Sequence, residues 1–128
     1  MDYHFTKKLE MRFEDGIGRV TDALQKEGFG ILCDIDVQQA MKSKLAVDFH
    51  PYRILGACNT PLAYQALLAE DKIGTMLPCN VVVQDVGEGF LEISAVDPVA
   101  SMMAIDNPML GALAETVRSK LRRVIESL

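Results

Sequence analysis

Apolar and polar residues alternate along this chain with two different periods, and the changes of period mark the elements. Residues 3–11 read as a strand whose alternation is interrupted by Lys7 and Lys8. Phe13, Ile17, Val20 and Leu24 then follow helical spacing, and Gly28 supplies a stop. Gly16 and Gly18 weaken the first turn of that helix. Phe29 to Ile35 returns to period two with its odd positions apolar, which predicts a strand with one buried face and puts Cys33 in the core beside Ile31 and Ile35. Asp36 is a suitable N-cap for a helix from Val37 to about Leu45. Tyr52 to Cys58 is the next strand. Thr60 can cap a helix that starts at Pro61 and runs to about Ala69, with a turn near Ile73-Gly74.

Residues 79–86 and 90–96 read as a hairpin joined through Gly87-Glu88-Gly89, and Asp97-Pro98 opens a short Met-rich helical turn. In the last element Asn107 caps and Pro108 takes the first helical position. Leu110, Leu113, Ala114, Val117, Leu121, Val124, Ile125 and Leu128 form an apolar stripe, with Arg118, Lys120, Arg122 and Arg123 away from it. Such a helix must cover an apolar surface, most simply one face of a sheet. Five strands with interspersed helices predict an α+β fold of two layers, in which a largely antiparallel five-stranded sheet is covered by helices, the long C-terminal amphipathic helix among them.

The chain is 128 residues long, the size of one domain, so residues 1–128 are expected to form a single α+β unit. That length buries roughly two thirds of the unfolded surface, enough for one core without covalent staples. Eighteen acidic against thirteen basic residues give a net charge of −5, and there is no Trp. A nucleic-acid partner, which calls for a clustered basic face and stacking aromatics, is therefore not expected. Nor is a membrane, because no apolar run reaches spanning length. The segment from Met1 to Lys8 has no hydrophobic stretch of a secretory signal, so a cytoplasmic location is expected.

Candidate chemistry centres on two Cys-Asn pairs. Cys58-Asn59 ends one strand and Cys79-Asn80 begins another. Three cysteines at irregular spacing make neither a disulfide framework nor a zinc motif, and CxxC, HExxH and Walker signatures are absent. If the strands bearing the pairs are antiparallel, both thiols lie at one end of the sheet. A parallel crossover would put them at opposite ends.

The segment from Ile54 to Asn59, the segment from Leu77 to Val83, and the patterns Gly28-Phe29-Gly30, Ile35-Asp36-Val37 and Asp97-Pro98 together resemble the domain of unknown function 302 family over nearly the whole chain. The resemblance implies a small α+β domain similar in topology to one TATA-binding-protein repeat, and a likeness of fold carries no DNA binding. It also implies a homodimer, and no transferable activity. Thr60 follows the first Cys-Asn pair where the family often has Pro, which here comes one residue later as Pro61.

Three functional readings of Cys58, Asn59, Cys79 and Asn80 stand side by side. The first is a small-ligand or thiol-dependent redox or sulfur-handling site, in which Cys58 lies just before a helix N-terminus that favours a thiolate. The second is a homodimeric module in which buried cysteines and local asparagine bonds only build the fold. The third is a soft metal such as Cu(I), with Met76, Met102, Met103 and Met109 as thioether donors, although methionines usually fill gaps in cores. The sequence names no cofactor and no reaction. His50 lies about 25 Å from Cys58 along the extended strand, too far to act as its base. His4 is expected to be solvated, Asp34 and Asp36 are a weak acid–base pair, and Gly16-Ile17-Gly18 is not a dinucleotide fingerprint.

Overall fold

The computed structural model describes residues 2–128. Met1, the first residue of the expected unit, lies outside the described residues. The elements in order are β1 (His4–Glu10), α1 (Phe13–Lys26), β2 (Gly30–Asp36), α2 (Val37–Leu45), β3 (Tyr52–Cys58), α3 (Thr60–Ala69), a 3-10 helix (Asp71–Met76), β4 (Cys79–Gly87), β5 (Phe90–Val96), α4 (Pro98–Ser101) and α5 (Pro108–Glu126). The strands form one sheet in the order β1-β5-β4-β3-β2, and every neighbouring pair is antiparallel. With helices packed on that sheet, the architecture is the expected α+β fold.

The helix ends follow from side-chain capping. Asp36, Asp97 and Asn107 accept bonds from the backbone N–H groups of Gln39, Val99 and Met109. At α3 the cap is Asn59 and not Thr60. The Asn59 carboxamide oxygen accepts from Leu62 N at 3.5 Å, and Thr60 is the first helical residue. Gly28 ends α1 at a φ of +86°, a backbone state that suits glycine.

Strand alternation divides the sheet. Leu55, Ala57, Val81, Val83, Leu91, Ile93 and Ala95 face the helices and are buried with Val20, Leu24, Leu121 and Val124 of α1 and α5. Lys7 shares this face on the edge strand β1. It donates to the carbonyls of Leu128 and Glu126 at 2.6 and 3.1 Å, which accounts for a cation within an otherwise apolar alternation. A second cluster, Ala66, Ile73 and Leu110 with Leu77, Met102, Ile105 and Leu113, lies between α3, the 3-10 helix and the start of α5.

Cys33 is exposed, contrary to the expectation that it is core. The register of β2 against β3 shifts at Leu32: Ile31 pairs with Ala57, whereas Cys33 pairs with Gly56. The extra residue reverses the alternation, so Ile31 packs on the core while Cys33 and Ile35 move to the opposite face. Asp34 is returned to the helix side, where it forms a two-pronged ion pair with Arg53 at 2.6 and 2.8 Å. That bond, ahead of the guanidinium charge, holds the Asp34 carboxyl below its usual range.

Asp97 is the buried acidic group of the fold, 2% exposed. Its side chain caps α4, and Oδ2 lies 3.2 Å from Arg118 Nε as an ion pair, off the line of that N–H. Asp97→Ala is expected to cost about 2–4 kcal/mol, because it removes a cap and leaves a largely buried guanidinium edge unpaired. Asp97→Asn keeps the cap and is expected to cost less. Urea denaturation of both variants checks the order, and equal stabilities would show that the cap contributes nothing.

Candidate functional site

The antiparallel register of β3 on β4 pairs Ala57 with Cys79 and Gly56 with Asn80. Cys58, the residue after Ala57, therefore ends β3 beside the start of β4, and both thiols lie at one end of the sheet. Cys79 takes the helix side and is buried, while Cys58 is half-buried. Both are free thiols. Burial pushes the Cys79 thiol up to about 11 from a usual 9.0, and the nearby Cys58 acts in the same direction. Cys79 is accordingly protonated in neutral water.

The two asparagines have parted roles. The Asn59 carboxamide caps α3 with its oxygen and donates through Nδ2 to the Glu27 carbonyl at 3.3 Å. Nδ2 also lies 3.0 Å from where a Cβ on Gly28 would sit. Asn59 thus ties the end of α1 to the start of α3 and fixes the wall behind Cys58. Asn80 is exposed on the other face of the sheet, beside Val82, Gln84, Ser94 and Tyr52. Cys58, Asn59 and Cys79 line one space, and Asn80 borders a different one that it shares with Cys79.

Those three residues border an apolar cavity of about 40 Å³. Its walls are Leu62, Ala63 and Ala66 of α3, Leu110, Leu113, Ala114 and Val117 of α5, and Phe29, Leu77, Pro78, Pro98 and Met102. The cavity follows from small side chains where helices meet, since Ala63, Ala66 and Ala114 stand where larger residues would close it. One water needs roughly 10–15 Å³, and an engineered cavity of roughly 150 Å³ takes benzene. The space therefore fits one compact guest. Among the described residues no acidic, basic or histidine side chain lines it.

On the opposite face Gly56 lies under Cys33 and Pro78. A Cβ there would meet Cys33 Sγ at 2.5 Å and Pro78 Cγ at 2.8 Å. Only glycine fits between the two Cys-Asn blocks at this point. The four methionines separate as well. Met102 borders the cavity, and Met76 sits outside it near Cys79 and Met102. Met103 and Met109 are exposed and border neither space. His50 bonds to Gln84 at the far end of β3, remote from the thiols as expected. His4 bonds to Thr6, which bonds to Ser94 across β1 and β5. Among the described residues no cluster of three His, Cys, Asp or Glu side chains could hold a metal ion, and no helix is long and apolar enough to cross a membrane.

Sequence reasoning located the thiols but missed the cavity walls on α3. The available signal was the absence of any charge from Thr60 to Ala69, which leaves that helix apolar all round.

No curated protein matches this chain. The crystal structure of an uncharacterized conserved DUF302 protein from Bacillus stearothermophilus shares the fold with a TM-score of 0.89, at 27% identity over 98% of each chain. The family model described as domain of unknown function DUF302 matches residues 5–128, and the chain belongs to that family.

Proposed function

We propose that this domain binds a compact, thiol-seeking ligand in the cavity between α3, α5 and the Cys58–Cys79 end of the sheet. One observation carries the reading: Cys58 and Cys79, from separate Cys-Asn blocks, both line the same apolar space. Asn59 serves as the positioning residue, and Asn80 takes no part in this site. Binding is favoured over dithiol redox cycling or sulfur transfer, because Cys79 resists ionisation at neutral pH. The free thiols also fit the reducing cytoplasm expected for the protein.

Xenon tests the cavity. Under xenon pressure the backbone amide signals of Cys58, Ala66 and Ala114 are expected to shift, and Ala114→Leu is expected to abolish the effect. Shifts spread evenly over the molecule would sink the reading. Alkylation with iodoacetamide tests the thiols. At pH 7.5 Cys33 is expected to react fastest and Cys79 slowest, by at least tenfold, with the Cys79 rate climbing as pH approaches 11. A Cys79 that reacts as fast as Cys33 at pH 7.5 contradicts the assignment.

A second reading, a homodimeric interaction module, is supported by the β2–α2 unit. β2 is an edge strand, α2 buries no residue, and Leu32, Ile35, Leu45, Val47 and Phe49 are all exposed. Sedimentation equilibrium is expected to give about twice the 14.1 kDa chain mass, and Leu32→Glu with Phe49→Glu is expected to return the monomer. A 14.1 kDa species at every concentration up to about 100 µM, against the µM affinities typical of weak dimers, removes this reading.

A further inference from the structure

We infer that the face of the sheet turned away from the helices carries a second site, which takes a neutral polyhydroxylated ligand of the saccharide class on Glu92, Ser94, Asn80 and Gln84. A hollow of about 490 Å³ lies there across β1, β5, β4 and β3, within the range of roughly 300–1,000 Å³ usual for small-molecule sites. The strand register assembles it. Thr6 stands opposite Ser94, and Glu92 stands opposite Gln84, which in turn pairs with Tyr52. Side chains two apart on a strand share a face, so these groups are presented together to one ligand.

Two of the polar groups are held from behind by histidines. Thr6 Oγ1 lies 2.6 Å from His4 Nδ1 and 2.8 Å from Ser94 Oγ. This chain runs in either direction. With Nδ1 accepting, Ser94 donates to Thr6 and offers lone pairs to the ligand; with Nδ1 donating, Ser94 offers its O–H. Gln84 Oε1 accepts from His50 Nε2 at 3.0 Å, which leaves the Gln84 amide N–H groups for a ligand. Lys8 stands opposite Glu92 in the register, yet its ammonium sits over the Phe90 ring at 5.0 Å, so the Glu92 carboxylate stays available.

These donors and acceptors select the ligand. Among the described lining residues Glu92 is the one carboxylate, and no Lys or Arg accompanies it. Its charge disfavours phosphates and carboxylates, and its two acceptor oxygens suit two neighbouring hydroxyls in strong O–H···O⁻ bonds. An ammonium group would satisfy Glu92 but offers no acceptor to the Gln84 N–H. Sugar hydroxyls both donate and accept, which matches the reversible Ser94 and the two-sided Asn80 carboxamide. A nucleobase has fixed donors and acceptors along one edge, which would occupy an amide and leave the hydroxyl chain unused. Val82 and the Tyr52 ring supply apolar surface for the C–H face of a sugar.

The test is titration of the isotope-labelled chain with glucose, galactose, mannose, N-acetylglucosamine, maltotriose and chitotriose, followed by NMR. At least one sugar is expected to give saturable shifts, in the millimolar range, of the Asn80 and Gln84 side-chain amides and the Ser94 backbone amide. A phosphorylated form of that sugar should bind at least tenfold more weakly, and Glu92→Gln should narrow this difference while weakening the neutral sugar. Thr6 is a positioning residue acting through Ser94, so Thr6→Val should weaken binding and Thr6→Ser should restore it. Thermal melts show that each variant is folded. Three results overturn the inference: no saturable shift with any of the six sugars, binding indifferent to both Glu92→Gln and Thr6→Val, or movement of the same signals when the protein alone is diluted, which marks the face as a contact between two copies of the chain.

Discussion

The pairing of β3 with β4 is the constraint on which the rest of this structure depends. The register that sets Ala57 against Cys79 also sets Gly56 against Asn80. One pair sends its members into the core, and the next sends its members to the open face, because side chains in a strand alternate. The two Cys-Asn blocks are therefore similar in sequence and unlike in surroundings. A slip of one residue would exchange Cys79 with Asn80 and put a carboxamide into an apolar wall. Gly56 supports this register from the other side, since the close approach of Cys33 and Pro78 leaves no room for a side chain.

Most of the fold was legible in the sequence because most of it is governed by short-range rules. The stripe from Leu110 to Leu128, the Asn107-Pro108 start and the Gly87-Glu88-Gly89 turn each appear where local pattern puts them. The failures share one cause. Period two carried through Leu32 puts Cys33 in the core, whereas a bulge there inserts an extra residue. A bulge depends on the partner strand, and a single strand's pattern does not contain it. The choice of Asn59 over Thr60 as cap is a smaller case, decided by where the chain leaves β3.

The site was legible to the extent that it depends on chemistry and illegible where it depends on space. Two thiols and a set of methionines are visible as residue types. Which methionine lines the cavity depends on how α5 packs on α3 and α4, and only the tertiary arrangement distinguishes Met102 from Met103. The cavity is likewise a difference between volumes on three helices, and no single segment records it. The uncharged run of α3 was the trace it left in the sequence.

The cavity is lined from both apolar clusters: Phe29, Ala57 and Cys79 belong to the larger, and Ala66, Leu77, Met102 and Leu110 to the smaller. A void enclosed within one cluster opens only when that cluster comes apart. A void on a seam opens when one cluster slides over the other, at the free energy of a local opening and not of global unfolding. Loosening at this seam would leave the strand pairing intact, because that pairing is held within the larger cluster.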